Sequence, residues 1–319
     1  MAITIEEILA EAVQAGASDV HVAAQAQPMM RINGKLTAMS YPKLFSEDVL
    51  ALLISVMTET QRRLYEERGE YGMAFEVRKL GRFRVNAYKQ RENVALALRL
   101  IGSRIPSPEE LGIPQQVMEL RKKKRGLVLA AGEVGSGRTT TLAAVVDRIN
   151  STRATHIVTL EAPVEYVYVH KRSIVTQREV GIDCASYEAG LRAAMRQDAD
   201  VIFAGELRDA GAVDAAIAVA ESGRLVLSTA NTPDIASAIE RMVDIFPIQR
   251  QQQIRKRLSA ALEMVISQRF LESKAEDRRK VSFSVLQVTD PVRELICREE
   301  MDALPIWQQR EEVGGATKE

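Results

Sequence analysis

Residues 127–140 read Leu-Val-Leu-Ala-Ala-Gly-Glu-Val-Gly-Ser-Gly-Arg-Thr-Thr. An apolar run feeds a glycine-rich turn that opens directly into a helical pattern, which is the anatomy of a phosphate-binding loop. Gly132, Gly135 and Gly137 lack a Cβ, so the backbone is free to take positive φ and turn several N–H groups toward one anion. Behind the turn, Leu142, Val145, Val146 and Ile149 recur at helical spacing and give one face to bury. The spacing is that of G-x-x-x-x-G-K-[ST] at every position but one, where Arg138 stands in place of lysine. Thr139 keeps the hydroxyl that would ligate Mg²⁺. The candidate phosphate-binding residues are therefore Gly132, Val134, Gly135, Ser136, Gly137, Arg138, Thr139 and Thr140.

Downstream, His156–Glu161, Val201–Glu206 and Leu225–Thr229 are apolar runs that end in polar residues, and each reads as a strand. Between the last two, Val213, Ala216, Ile217 and Ala220 mark a helix with one buried face. Such alternation predicts a sheet with helices on both sides and a ligand at the carboxyl ends of the strands. After Pro247 the pattern predicts a helix from Gln249 to Gln268, a strand over Val281–Val288 and a helix started by Asp290 and Pro291.

Three carboxylates fall at the strand ends of that sheet: Glu161, Glu165 four residues on, and Glu206. Hydrolysis of a phosphoanhydride needs an in-line water, a carboxylate to orient and deprotonate it, and a cation to spread the charge on the γ-oxygens. Glu206 is the candidate for the water and, with Thr139, for the metal; Glu165 is a candidate for either, and Glu161 completes the set.

Ahead of the loop the pattern changes. Thr4 and Glu7 form a capping box for a first helix that ends at Gly16, short strands follow at Val20–Val22 and Met29–Ile32, and Asn33-Gly34 turns a hairpin. Helices are predicted from Glu47 to Met57 and from Thr60 to Glu67. In residues 82–88 the period is two, with Phe83, Val85 and Ala87 on one face and Arg82, Arg84 and Asn86 on the other; a strand over Val94–Ile101 leaves Arg99 opposite its apolar face. Pro106 and Pro108 then break the pattern. The expected organisation is an α+β domain over residues 1–102, a linker and connecting helix over 103–125, a P-loop domain over 126–310 and a flexible tail over 311–319.

The chain of 319 residues carries 43 basic and 43 acidic side chains, so its net charge is zero and nothing favours bulk attraction to nucleic acid or anionic lipid. Cys184 and Cys297 make no metal or redox spacing. No apolar stretch approaches the ~20 residues of a membrane span. A cytoplasmic protein without a cleaved leader is expected.

Six segments, taken in order, resemble the successive motifs of the type IV pilus retraction ATPases (PilT type). They are residues 16–21 (Gly-Ala-Ser-Asp-Val-His), 82–87 (Arg-Phe-Arg-Val-Asn-Ala), 161–166 (Glu-Ala-Pro-Val-Glu-Tyr), 177–180 (Gln-Arg-Glu-Val), 191–209 and 220–229. The resemblance implies an α/β fold in which a PAS-like N-terminal domain precedes a RecA-like P-loop ATPase domain, assembled as a homohexamer that binds ATP or ADP with Mg²⁺. It further implies a pilus or secretion inner-membrane platform protein as partner, a cytoplasmic location peripheral to the inner membrane, and motor action in pilus retraction. Arginines of the N-terminal domain are thought to reach the phosphates in that family, and the matching positions are Arg82, Arg84 and Arg99. The departures are Arg138 for the loop lysine, Ala162 in the acidic box, and Arg224 and Asn231 where the histidine box carries histidines. They make reduced hydrolysis, in a nucleotide-binding paralogue that regulates a motor, the alternative expectation. A DNA translocase is disfavoured because no basic stripe interleaves with aromatics.

Overall fold

The computed structural model describes residues 3–101, 104–271 and 280–313. By compactness the chain divides into two units: residues 1–104 together with Ala162–Tyr166, and Ile105–Glu161 together with 167–319.

In the first unit, α1 (Ile5–Gln14) begins at the Thr4–Glu7 capping box and is followed by β1 (Asp19–Ala23), β2 (Met29–Ile32) and β3 (Lys35–Ala38). Next come α2 (Ser46–Val56), α3 (Glu59–Arg68), β4 (Glu70–Val77), β5 (Gly81–Gln90) and β6 (Asn93–Ile101). The strands form one antiparallel sheet in the order β3-β2-β1-β6-β5-β4. The two-residue period of β5 has its physical cause here: Phe83, Val85 and Ala87 are buried in the core with Ile8, Leu9 and Leu53, while Arg84 stays exposed on the opposite face.

The second unit begins at Ile105, and its first elements are α4 (Gln115–Met118) and a 3-10 turn (Glu119–Lys122), a short helical piece within the expected linker and connecting helix, with Val117 and Leu120 buried. Then follow β7 (Gly126–Gly132), α5 (Arg138–Thr152), β8 (His156–Glu161), β9 (Ile174–Glu179), α6 (Tyr187–Arg196), β10 (Val201–Glu206), α7 (Ala210–Glu221) and β11 (Leu225–Asn231). The last elements are α8 (Ile235–Asp244), α9 (Ile248–Ala261), β12 (Leu262–Leu271), β13 (Lys280–Gln287), α10 (Asp290–Cys297) and β14 (Gln308–Val313). Eight strands lie in the order β14-β13-β12-β7-β11-β10-β8-β9. The run from β12 to β9 is parallel, and β7 near its middle is buried at every residue, as a strand covered on both faces must be.

Two expectations are corrected. The helix predicted to reach Gln268 stops at Ala261, and residues 262–271 form a strand paired with β7 on one side and β13 on the other. The run Leu-Glu-Met-Val-Ile-Ser-Gln is short, apolar and rich in residues that suit either state; sheet pairing decides it. Residues 311–313, expected in a flexible tail, belong instead to β14, which continues to Val313; residues 314–319 lie outside those described.

Candidate functional site: the glycine loop and its surroundings

The loop runs from the carboxyl end of β7 into the N-terminus of α5, the position at which parallel sheets bind ligands. Gly132 has φ +152 and Gly137 φ +89, and side chains at either would collide with their surroundings. A Cβ at 132 would lie 2.4 Å from the Gln268 carbonyl oxygen, and one at 137 would lie 2.9 Å from Gln268 Nε2. At Gly132 the neighbour is main chain, which leaves no room for a side chain; at Gly137 it is the end of the Gln268 side chain. Above it the loop is open: nothing lies within 4 Å of a Cβ built on Gly135, and Val134 is 76% exposed. Ser136 is buried, with its Oγ lacking a hydrogen-bond partner. A buried hydroxyl without a partner is costly, and an anion seated in the loop would relieve it. On this structural ground the residues suit a phosphate group.

Arg138, the first residue of α5, is half-buried and donates from Nη1 to the carbonyl of Ala230 on β11 at 2.5 Å. Desolvation lowers its pKa and the negative charge of Glu206 acts the other way, so Arg138 and Glu206 lie within electrostatic reach. The register explains the proximity. Glu206 on β10 pairs with Thr229, and Thr229 pairs with Ala130 of β7, so Glu206 is two strand spacings from the loop strand, about 10 Å. Its carboxylate holds Arg208 Nε at 2.8 Å. Gly205 marks a register shift just before Glu206, and its carbonyl accepts from Thr229 Oγ1. Burial raises the pKa of the nearby Tyr187, whose hydroxyl would sit 3.1 Å from a Cβ on Gly205, so that phenol stays protonated.

The other two carboxylates differ in setting. Glu161 ends β8, one strand beyond β10, and is buried; Thr159 Oγ1 donates to it at 2.7 Å and Gln177 Nε2 at 3.4 Å. Such a carboxylate fixes the strand end it stands on. Glu165 belongs to the segment 162–166 that packs with the first unit, where Arg84 Nη1 donates to its Oε1 at 3.1 Å and Arg82 Nε donates to the Val164 carbonyl at 3.0 Å. Arg99 is paired with Asp19 through a 2.7 Å contact. The exposed face of β5 therefore holds the acidic segment, a pairing that its arginines' alternation with apolar residues does not disclose.

One residue beside the loop escaped the sequence reading altogether. Gln268 is buried on β12, its Oε1 accepts from Thr141 Oγ1 of α5 at 2.7 Å, and its neighbour Ser267 pairs with Ala131. Assigned to a helix, it gave no signal. Among the described residues no group of three or more His, Cys, Asp or Glu could hold a metal ion, and no helix is long and apolar enough to cross a membrane.

Comparison with known proteins gives concordant results. The pattern of the family described as "Type II/IV secretion system protein" matches residues 1–304. The uncharacterized protein YggR of Escherichia coli is 40% identical over 314 residues, which is 98% of this chain and 95% of that protein. The type IV pilus retraction ATPase PilT of Pseudomonas aeruginosa is 39% identical over 292 residues, 92% of this chain and 85% of its own. Among solved structures, the crystal structure of the pilus retraction motor PilT with bound ADP matches at a TM-score of 0.87 and 44% identity, covering 95% of this chain and 89% of that one.

Proposed function

The chain belongs to the type II/IV secretion system protein family, and on that premise we propose that it is an ATP-hydrolysing motor of the pilus-retraction kind. The observation that carries the reading is the glycine loop between β7 and α5 with Glu206 two strands away, on a chain 44% identical to a retraction motor solved with ADP. The loop's backbone N–H groups would hold the β-phosphate, and Thr139 would join the phosphates in ligating Mg²⁺, a cation that takes few protein ligands. Glu206 would accept the proton of the water that attacks the γ-phosphorus, with ADP leaving in line. A PAS-like fold for residues 1–102 and a RecA-like fold for residues 126–310 are part of the same reading, as are a homohexamer, delivery of Arg84 or Arg99 to the phosphates on ring closure, a cytoplasmic site of action and an inner-membrane platform partner.

Titration of the purified protein with MgADP in a calorimeter tests the root of the proposal. Saturable heat with one nucleotide per chain is expected. A folded sample that takes up no nucleotide at millimolar concentration overturns it.

A second reading has one observation in its favour. The Arg138 guanidinium is already bonded to Ala230, and a motor whose loop cation is held off the phosphates would bind nucleotide yet turn it over slowly, as a regulatory subunit does.

A further inference from the structure

We propose that Gln268 is a positioning residue for the glycine loop, its side-chain amide holding the loop in the shape that receives phosphate; this rests on the nucleotide-binding reading above. Gln268 lies against both ends of the loop and is hydrogen-bonded to the helix that follows it. The Gln268 backbone carbonyl lies 2.4 Å from where a Cβ of Gly132 would stand, so it underlies the loop's first glycine. The side-chain Nε2 lies 2.9 Å from the corresponding point at Gly137, so it underlies the last. The side-chain oxygen accepts from Thr141 Oγ1 at 2.7 Å, and Thr141 itself is buried in the first turn of α5. The oxygen is thus on the helix side and the NH₂ on the loop side.

The chemistry of the amide suits the task. The loop is a concave array of N–H donors that favours negative charge above it. A neutral side chain with its donor edge turned to the loop adds to that field. A carboxylate in the same place would set a negative oxygen beneath the turn and oppose a phosphate above it. Glutamine and glutamate have nearly the same shape, so exchanging them separates charge from packing.

The test compares MgADP affinity of the parent with that of Gln268→Glu from about pH 5.5 to 9, taking the ratio of Kd values at each pH so that the nucleotide's own titration and that of every other group cancel. When its carboxyl is protonated the variant can offer an O–H donor in place of the amide N–H, and when ionised it has no donor. The ratio is expected to reach at least about 10-fold at the alkaline end, where the introduced carboxyl is ionised, and to fall toward the acid end as it takes up a proton. A ratio near one at every pH overturns the proposal, since the carboxyl is ionised at the alkaline end and a carboxylate would then serve the loop as well as the amide does. Should Gln268→Glu not fold, Gln268→Met supplies the reading: a neutral side chain of similar volume without a donor is expected to weaken MgADP by about 10-fold at every pH, and parent-like affinity overturns the proposal. If the parent binds no MgADP, the nucleotide reading itself is what fails.

Discussion

Arg138 on α5 and Ala230 on β11 are joined by a 2.5 Å hydrogen bond from Nη1 to the backbone carbonyl, across the strand next to the one that carries the loop. The bond uses one of five guanidinium donors and holds the charge at the strand edge. A lysine has no planar fork with which to keep that contact while reaching elsewhere, and its compact ammonium would be free to move to the β- and γ-phosphates. Arg138→Lys is therefore expected to raise ATP turnover by about 5-fold or more at saturating nucleotide. Unchanged turnover in that variant would show that the tether does not limit catalysis.

Gly132→Ala tests the loop's geometry. The backbone there has φ +152, and the new methyl would meet two atoms at 2.4 Å, Ser136 Oγ and the Gln268 main-chain oxygen of β12, a strand fixed by pairing on both sides. The substitution is expected to destabilise the protein by about 1–3 kcal/mol and to abolish MgADP binding in the fraction that folds. Thermal unfolding and calorimetry together check it, and a variant as stable as the parent would mean that the loop adjusts.

The Arg99–Asp19 pair gives a prediction in pH. Burial raises the Asp19 pKa, but the hydrogen bonds from Ser18 and Arg99 outweigh it and hold the carboxyl below the ordinary range. A depressed folded-state pKa contributes stability that is complete above the unfolded value of about 3.9 and is lost as pH falls through the folded one. The parent should therefore lose more melting temperature between pH 5 and pH 3 than Asp19→Asn, which has no proton to gain. The difference should be small, because Arg99 is largely exposed. Parallel curves for the two proteins would assign the pair no role in stability.

The loop could be read from its residues because its chemistry is local: glycine spacing, the strand before it and the amphipathic helix after it all lie within one stretch. The strands ending at Glu161 and Glu206 were equally legible, since long apolar runs closed by a polar residue need no tertiary information. Gln268 was not. Its run of residues satisfies helix and strand patterns alike, and only pairing with β7 and β13 makes it a strand and brings the amide under the loop. The setting of Glu165 was hidden for a related reason: Arg84 is 81 residues away in sequence, and only folding brings the two together. Counting carboxylates at strand ends could not separate Glu161, buried and hydrogen-bonded by Thr159 and Gln177, from Glu206, which shares an electrostatic field with Arg138.

The central claim is that this chain hydrolyses ATP with Glu206 as the base. Steady-state phosphate release by the purified protein, measured for the parent and for Glu206→Gln at nucleotide concentrations that saturate both, tests it most directly. The account predicts measurable turnover in the parent and a loss of at least about 100-fold in Glu206→Gln with MgADP affinity retained, the size of effect that removal of a general base produces. A parent that binds nucleotide but releases no phosphate, or a Glu206→Gln variant that releases it at the parental rate, would contradict the account.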